Sequence, residues 1–171
     1  MLDRRRLLMA SAALIALARP NQSAQAGAMT EITPDDASAD YRKLSDADWR
    51  RRLTPAQYDV LRKHGTERPG ASPLNHEKRK GVFVCAGCDN PLFASETKFE
   101  SGTGWPSFYQ PLENGIATKQ DRSLFMVRTE VHCRRCIGHL GHVFDDGPPP
   151  TGLRYCMNGA AMKFTAAPDA A

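Results

Sequence analysis

The sequence lacks several features that would point to particular protein classes. No apolar run is long enough to cross a bilayer as a mature segment, no internal repeat of fold size occurs, and low-complexity sequence is confined to the short turn Pro148–Pro150. There are only five cysteines among 171 residues. A chain of this length buries enough apolar surface to fold without disulfides. These absences favour a globular domain, for which 41% hydrophobic and 25% charged residues are ordinary values.

A strong charge of one sign is also absent once the first residues are set apart. The segment up to Ala26 contains four arginines and one aspartate, so it carries +3 of the formal net charge of +4 and leaves about +1 for the remainder. The basic isoelectric point of 8.9 therefore mainly reflects this segment. A nearly neutral remainder argues against binding to nucleic acid or to an anionic membrane.

The first 26 residues have the pattern of an export signal. Arg4–Arg6 precede an apolar run that ends at Ala18, and a small-x-small site follows at Ala24–Ala26. The paired arginines resemble a twin-arginine signal. We therefore expect an exported, periplasmic protein, with an organelle transit peptide and a matrix location as the alternative. The predicted organisation is a signal at 1–26, a flexible lead-in at 27–40, a domain at 41–165 and a tail at 166–171.

Local sequence signals predict two short helices followed by strands. Ser45 precedes two acidic residues and is a favourable helix cap. Thr54 before Pro55 starts a second helix, which is expected to run to about His64 and to end at Gly65. Further along, glycine and proline separate β-prone runs at 81–85, 93–99, 123–133 and 153–164. The sequence therefore predicts a mainly β fold with a short N-terminal helical region.

Four of the five cysteines form two Cys-x-x-Cys pairs, at Cys85 with Cys88 and at Cys133 with Cys136. Each pair can wrap one face of a tetrahedral metal, so two pairs complete a four-cysteine site for one structural zinc per chain. Two local disulfides are an alternative in an exported protein, but they would close very short loops and stabilise little. A redox-active pair is the other alternative, and it does not explain why there are two.

The fifth cysteine, Cys156, lies in a β-prone segment between polar residues. If this segment is a strand, Arg154 and Asn158 share a face with Cys156. A cation and an amide beside a thiol would each need a partner in an apolar core. In a site, Arg154 would favour the thiolate, which is the nucleophilic form. An inert buried cysteine is the alternative reading.

Two histidines and a tryptophan lie in glycine-rich motifs. His139 and His142 are three residues apart, just after the second Cys-x-x-Cys pair. Because the four paired cysteines complete a metal site, the histidines are free for acid–base work, although a His/His/Cys metal site is an alternative. Trp105 stands between Gly104 and Pro106, so we expect it on a loop that lines a pocket rather than in the core.

Together these motifs resemble the B-type methionine sulfoxide reductases. The matching segments are 101–108 (Ser-Gly-Thr-Gly-Trp-Pro-Ser-Phe), 139–144 (His-Leu-Gly-His-Val-Phe) and 154–158 (Arg-Tyr-Cys-Met-Asn), with support from 49–58 and 64–67. The similarity covers roughly residues 41 to 165. It implies two antiparallel β-sheets and a zinc held by four cysteines away from the active site. It also implies reduction of the R epimer of methionine sulfoxide in oxidised proteins, with free sulfoxide as a further candidate substrate.

The resemblance also implies roles for individual residues. Cys156 attacks the sulfoxide sulfur and becomes a sulfenic acid, while Trp105 holds the methyl group of the substrate. A proton donor is required because the sulfoxide oxygen is a poor leaving group. Asp146 is expected to orient a histidine. The implied catalytic set is Cys156, His139, His142, Asn158 and Arg154, and the implied substrate-binding set is Trp105, Phe108, Phe144 and Asp146.

One position departs from a pattern common in this family. Many members carry a cysteine within the Ser-Gly-x-Gly-Trp-Pro motif that resolves the sulfenic acid, whereas this chain has Thr103 there. If zinc holds four cysteines, no second thiol remains for that step. We therefore expect an external reductant, either a thioredoxin-like protein or a small thiol, to regenerate Cys156.

Two other functions are compatible with the sequence. A non-catalytic zinc-ribbon-like binding module would need no reactive Cys156, but it would predict a basic or aromatic surface, against which the near-neutral charge weighs. A disulfide oxidoreductase would use one of the Cys-x-x-Cys pairs. Zinc content separates that function from the reductase, since metal-held pairs are not redox-active.

Overall fold

The computed structural model describes residues 40–122 and 126–168. The predicted signal, nearly all of the predicted lead-in and the end of the tail lie outside the described residues. None of the helices in the described part of the chain combines the length and apolarity needed to traverse a bilayer.

Two short α-helices open the described chain, as the sequence predicts. Helix α1 spans Asp46–Arg52 and helix α2 spans Pro55–Lys63. Ser45 and Thr54 each cap a helix through reciprocal side-chain and backbone hydrogen bonds, which satisfy otherwise unpaired N–H groups of the first turn. The end of α2 differs by one residue from the expectation. His64, not a glycine, adopts the left-handed conformation that terminates the helix, with φ of 58°.

Nine strands form two antiparallel sheets across the described residues, which confirms the predicted fold class. The small sheet has the order β2-β1-β9, and the large sheet has the order β3-β4-β8-β7-β6-β5. The strands are β1 Gly81–Cys85, β2 Pro91–Ala94, β3 Lys98–Phe99, β4 Ser107–Phe108, β5 Ile116–Asp121, β6 Arg128–Cys133, β7 His139–Phe144, β8 Arg154–Met157 and β9 Met162–Ala166.

The predicted β-runs differ from the observed strands mainly in their extent. Strand β1 has the predicted bounds. The run at 93–99 is broken by a 3-10 turn at Ser95–Thr97, and the run at 153–164 by another at Gly159–Ala161. Of the run at 123–133, residues 123–125 lie outside the described residues, and the strand spans Arg128–Cys133. Strands β4, β5 and β7 were not predicted. Strand β4 is only two residues long, β5 is mostly polar, and β7 contains two histidines and a glycine.

Aromatic side chains fill the space between the two sheets. Phe83 of β1 meets Phe108 of β4 edge to face at 4.9 Å between ring centroids, and Phe93 of β2 stacks on Phe108 at 4.3 Å. All three rings are fully buried. Such ring pairs add roughly 1 kcal/mol each beyond the burial of their area. This core fixes the position of β4, and through β4 it fixes the neighbouring strand β8.

A row of directly opposed residues crosses the large sheet from β4 to β5. Residues that face each other on neighbouring antiparallel strands project to the same side of a sheet. The row is therefore a set of side chains held on one face by strand register alone. Its members are Ser107, Cys156, His142, Glu130 and Lys119.

The close contact of β7 with β8 depends on Gly141. A Cβ atom at this position would lie 2.1 Å from the carbonyl oxygen of Cys156. Any other residue would force the two strands apart at the point where His142 and Cys156 face each other.

Candidate active site

Cys156 lies in β8, partly exposed, at the wall of a cavity of about 150 Å³. The other wall residues come from β6, β7, the loop before β4, the segment after α2 and the end of β8. A thiol in a small cavity with both apolar and polar walls has room for one small group of a bound molecule. The wall residues are Thr66, Trp105, Arg128, Gly141, His142, Phe144, Cys156 and Asn158.

The hydroxyl of Thr103 lies 3.9 Å from Sγ of Cys156. A short chain of hydroxyls supports it: Ser101 Oγ is 2.9 Å from Thr103 Oγ1 and 2.7 Å from Ser107 Oγ. Ser107 is itself the partner of Cys156 across β4 and β8. The loop that carries Thr103 is therefore anchored on the same row of residues as the thiol.

Trp105 lines the cavity from a loop, as the sequence predicts. Its indole Nε1 donates a hydrogen bond of 3.1 Å to the carbonyl oxygen of Glu67. The preceding Gly104 has φ of +89°, and a Cβ there would lie 2.7 Å from Cβ of Pro69. Glycine is required at this position both by the backbone conformation and by the close approach of the two loops.

The segment around Glu67 ties the cavity walls together. Its backbone N–H donates 3.0 Å to the side-chain oxygen of Asn158, and its carboxylate accepts from the backbone N–H groups of Gly159 and Ala160. The Asn158 amide nitrogen donates 3.0 Å to the carbonyl oxygen of Leu140. Asn158 therefore lies at the cavity wall and also joins three chain segments through its side chain.

Each of the two predicted catalytic histidines is paired with a carboxylate. His142 donates through Nε2 to Oδ2 of Asp121 at 2.8 Å, and His139 donates through Nδ1 to Oε1 of Glu130 at 2.9 Å. A neutral imidazole that donates through one nitrogen accepts through the other, so these bonds set the tautomer of each ring. The two rings pack edge to face with centroids 5.4 Å apart. His142 lines the cavity at Cys156, which we call the sulfur cavity. His139 lines an adjacent cavity instead.

Asp146 does not orient a histidine, which corrects that expectation. Both of its carboxylate oxygens accept hydrogen bonds of 2.8 Å from Arg154. The arginine also lies over the ring of Phe144, 4.4 Å from its centroid. This position follows from register, because Arg154 faces Phe144 across β8 and β7.

Phe108 lies in the core rather than at the cavity, which corrects its expected contact with substrate. Its side chain is fully buried between Phe83 and Phe93. The motif that contains it alternates along β4, so Ser107 and Phe108 point to opposite faces. Phe144 does line the cavity, as expected.

Burial raises the pKa of the Cys156 thiol above its ordinary value. The Thr103 hydroxyl and the Arg154 guanidinium act in the opposite direction but do not outweigh burial. Arg154 acts on the thiol in the expected direction, toward the thiolate, although its guanidinium is also bound by Asp146. The balance of burial and these two groups therefore favours the thiol over the thiolate.

Burial also lowers the pKa of His139, although the bond to Glu130 partly counters this effect. For Glu130, burial acts to raise the pKa, but hydrogen bonds from His139 and Lys119 outweigh it and leave the pKa lowered. At neutral pH the pair is therefore a neutral imidazole beside a carboxylate.

The four paired cysteines meet in one cluster between the two sheets. Their sulfur atoms all lie within 4.8 Å of one another, and all four side chains are buried. Cys85 and Cys136 are 3.7 Å apart, and Cys88 and Cys133 are 3.5 Å apart, so none forms a disulfide. A sulfur tetrahedron around a metal with bonds of about 2.3 Å has edges of about 3.8 Å, so these spacings fit a tetrahedral thiolate site.

The two halves of this cluster have the same backbone pattern. In each Cys-x-x-Cys pair the residue after the second cysteine has positive φ, at Asp89 and Ile137. Its N–H donates 2.9 Å to the carbonyl of the first cysteine in both halves. The backbone of each half therefore preforms one side of the site without any metal bond.

Several wall residues carry no signal that the sequence analysis used. The β-prone run at 123–133 predicts β6 itself, and the alternation of Arg128, Glu130 and His132 along it could have marked one face of that strand as functional. Asp121 had no comparable signal, because β5 itself was not predicted. It accepts hydrogen bonds of 2.8 Å from both His142 and Arg128, and both of these line the cavity.

The chain matches the SelR domain family over residues 53–166. Peptide methionine sulfoxide reductase MsrB of Agrobacterium fabrum is 59% identical over 121 residues, which are 70% of this chain and 90% of that protein. The protein of the same name from Leptospira interrogans is 57% identical over 121 residues, 70% of this chain and 92% of its own length. The chloroplastic peptide methionine sulfoxide reductase B1 of Arabidopsis thaliana is 55% identical over 128 residues, 74% of this chain and 63% of its own length.

Among solved structures, the Mis18 Yippee-like domain matches 53% of this chain and all of its own with a TM-score of 0.44 and 19% identity, which is too low to carry an argument. The family match spans most of the described chain, and the relatives are covered almost end to end in the two bacterial cases. The chain belongs to the SelR family of B-type peptide methionine sulfoxide reductases.

Proposed function

We propose that this protein reduces the R epimer of methionine sulfoxide in oxidised proteins, with Cys156 as the nucleophile. The observation that carries the proposal is the cavity that joins Cys156 with Trp105 and His142. Membership of the family supports methionine sulfoxide as the substrate. Free methionine sulfoxide carries the same reacting group, so it is a second candidate substrate.

In the proposed reaction, Sγ of Cys156 attacks the sulfoxide sulfur. The bond that this attack forms between Sγ and the substrate sulfur then breaks, together with the substrate's sulfur–oxygen bond, as the protonated oxygen passes to Sγ. The products are methionine and a sulfenic acid. The proton that the thiol loses becomes the O–H proton of the sulfenic acid, so no other proton source is needed. His142 faces Cys156 across β7 and β8, so it is placed to relay a proton from the thiol to the departing oxygen. Asp121 holds the Nε2–H of His142 and leaves Nδ1 as the acceptor.

We assign epimer selection to the aromatic walls. The methyl group is the small apolar substituent of the reacting sulfur, and Trp105 with Phe144 offers it an apolar surface. When the methyl lies against these rings and the sulfur faces Cys156, the oxygen is directed to one side only. The opposite epimer would place its oxygen against the aromatic wall, where no donor compensates the lost hydration.

The decisive experiment is an assay of the purified protein on separated R and S epimers of a methionine sulfoxide peptide. The proposal expects turnover of R and little or none of S. Trp105→Ala should weaken binding and reduce the preference between epimers, whereas Tyr109→Ala, an aromatic outside the cavity wall, should change neither. Equal turnover of both epimers by the wild type would contradict the proposed selection.

We also propose that an external thiol regenerates Cys156. Thr103 lies where a second sulfur could reach Cys156, but its hydroxyl cannot form a disulfide. The other four cysteines are buried in their own cluster. A thioredoxin-like protein or a small thiol would attack the sulfenic acid, form a mixed disulfide and then release the free enzyme.

The regeneration step can be tested by intact mass after one equivalent of R sulfoxide without reductant. We expect a gain of one oxygen in the wild type. Thr103→Cys should instead give an internal disulfide to Cys156 with the loss of two hydrogens, since the two side chains are already in contact. Thr103→Ser serves as the matched control and should keep the oxygen adduct. An internal disulfide in the wild type would refute direct resolution.

We propose zinc as the metal of the four-cysteine cluster, one ion per chain. Four thiolates in a tetrahedron are a typical structural zinc set, and the sulfur spacings support it. When bound, zinc supplies a cross-link between the small and the large sheet. Elemental analysis of the purified protein should give one equivalent, and another metal in its place would correct the assignment.

Export to the periplasm remains part of this proposal. It rests on the arginine-led apolar segment and the Ala24–Ala26 site. The mass of the protein recovered from the compartment outside the inner membrane would test it. A chain that begins after Ala26 supports export, and retention of the full-length chain in the cytoplasm contradicts it.

A further inference from the structure

A second cavity, of about 570 Å³, lies next to the sulfur cavity and shares His142 with it. Three of its lining residues are potential metal ligands: His64, Glu130 and His139. One ligand atom from each lies within 4.8 Å of the other two. None of these atoms belongs to the four-cysteine cluster.

We propose that His64, Glu130 and His139 form a second metal site, which takes a zinc ion reversibly and thereby inhibits the enzyme. Two imidazoles and one carboxylate are a usual ligand set for zinc, and a water would complete the tetrahedron. The site would differ from the cysteine cluster in having an open fourth position.

The carboxylate of Glu130 is already arranged for this role. Its Oε1 lies 2.9 Å from Nδ1 of His139 and 3.3 Å from Nδ1 of His64. Its other oxygen, Oε2, is held by the ammonium of Lys119 at 3.1 Å. The two oxygens therefore have separate tasks: Oε1 faces both imidazoles, and Oε2 is anchored by an outer contact of the kind that orients metal ligands.

The three ligands come from three different elements, which limits their movement. Glu130 lies in β6 and His139 in β7, and both side chains are nearly fully buried. His64 ends α2 in the left-handed conformation, and 54% of its side chain is exposed. Because two ligands are held in the sheet and the third is exposed, a metal ion can enter the site from solvent and leave it again.

Zinc at this position would act on the proposed reaction through His139. The ion would replace the proton that His139 Nδ1 now shares with Glu130, and that proton would go to solvent. The imidazole would then carry a bound dication, with its ring 5.4 Å from that of His142. The dication would repel a proton that passes through the neighbouring ring of His142, so proton relay at Cys156 would slow. This second part of the inference rests on the proposed function.

Binding can be measured without activity. Zinc is titrated calorimetrically into tag-free Cys156→Ser protein whose cysteine cluster is already filled, so that the reactive thiol cannot take the ion. We expect one further equivalent. His64→Asn in the same background should weaken its binding by about tenfold or more, because asparagine tolerates the left-handed backbone but lacks the imidazole. His76→Asn, which replaces a histidine outside the cavity, should bind as the parent does.

Inhibition is then measured in a single turnover of wild-type protein without added thiol, since thiols themselves bind zinc. Zinc should slow formation of the oxygen adduct, a chelator should restore it, and His64→Asn should react at the wild-type rate but resist zinc. The absence of a further equivalent, or unchanged binding in His64→Asn, would overturn the site. Inhibition unchanged in His64→Asn would overturn the regulatory role and place zinc at Cys156. If the wild-type protein shows no turnover even before zinc is added, the proposed function is wrong. The calorimetric test of zinc binding does not depend on that outcome.

Discussion

The four-cysteine cluster and the sulfur cavity use the same residue type in opposite ways. In the cluster, each Cys-x-x-Cys segment sets its own geometry through short-range backbone hydrogen bonds, and every sulfur is buried. In the cavity, Cys156 is a single thiol whose surroundings come from distant segments of the chain. Each half of the cluster is therefore a local structure, and the fold brings the two halves together. The cavity, in contrast, depends on the register of the large sheet and on the loops that carry Thr66 and Trp105.

The largest expected effect is a loss of activity when the cavity is changed and the four-cysteine cluster is left intact. Cys156→Ser should lower reduction of the R epimer on the order of 10³-fold or more, because a serine hydroxyl is a far weaker nucleophile than sulfur. Thermal stability and zinc content should stay at wild-type values, since Cys156 takes no part in the cluster. Residual turnover near the wild-type rate would assign the nucleophile to another residue.

The converse change separates the regions by stability. Cys88→Ser should release the metal and lower the melting temperature by about 10 °C or more, because structural zinc binding contributes directly to folding. Calorimetry together with metal analysis measures both. A metal-free variant that melts with the wild type would contradict a structural role for the cluster.

A change at the histidine pair affects only the cavity. His142→Ala should slow turnover by about 10²-fold with a smaller effect on KM, since it removes the proposed proton relay. Asp121→Asn should slow turnover less and shift its pH profile, because the amide no longer fixes the imidazole tautomer. Glu113→Gln, at an exposed carboxylate, is the matched control and should leave the profile unchanged. A Glu113→Gln effect equal to that of Asp121→Asn would remove the specific role of Asp121.

The smallest expected effect concerns the resting state of the nucleophile. Because burial raises the pKa of Cys156, iodoacetamide should label it slowly at neutral pH, with a midpoint above that of a free cysteine. Asp146→Asn removes the anion that shares Arg154, so it should lower the midpoint and speed labelling a few-fold. Both midpoints follow from labelling rates over a pH series. Labelling of the wild type at mildly acidic pH would show a resting thiolate and contradict the assignment.

The same contrast explains how much could be predicted from the sequence. The two Cys-x-x-Cys halves of the cluster, both helix caps and strand β1 follow from residues that are close in the chain, and the sequence predicts each of them. Cys156 and Trp105 were placed in the site through their motifs. The partners of His139 and His142 could not be predicted, because Glu130 and Asp121 reach them only through the pairing of β6 with β7 and of β5 with β6.

The errors have the same origin. Phe108 ends the 101–108 motif and Asp146 lies two residues after the 139–144 motif, so proximity in sequence to wall residues suggested a role at the cavity. Because side chains alternate along β4, Phe108 points into the core. Because β7 pairs with β8, Asp146 lies next to Arg154 and accepts its hydrogen bonds. A motif identifies a group of residues, but it does not say which face each of them occupies.

The order of the strands along the chain has a consequence for synthesis. All four cluster cysteines precede β7, whereas Cys156 lies in β8, the last strand but one. Strand β8 then inserts between β4 and β7, which are made earlier, and β9 adds to the edge of β1. The growing chain therefore presents the four thiols of the cluster before the thiol of Cys156. If the cluster takes a metal as proposed, a nascent chain can bind the ion before Cys156 is synthesised, and the other four sulfurs are then no longer free to react with it.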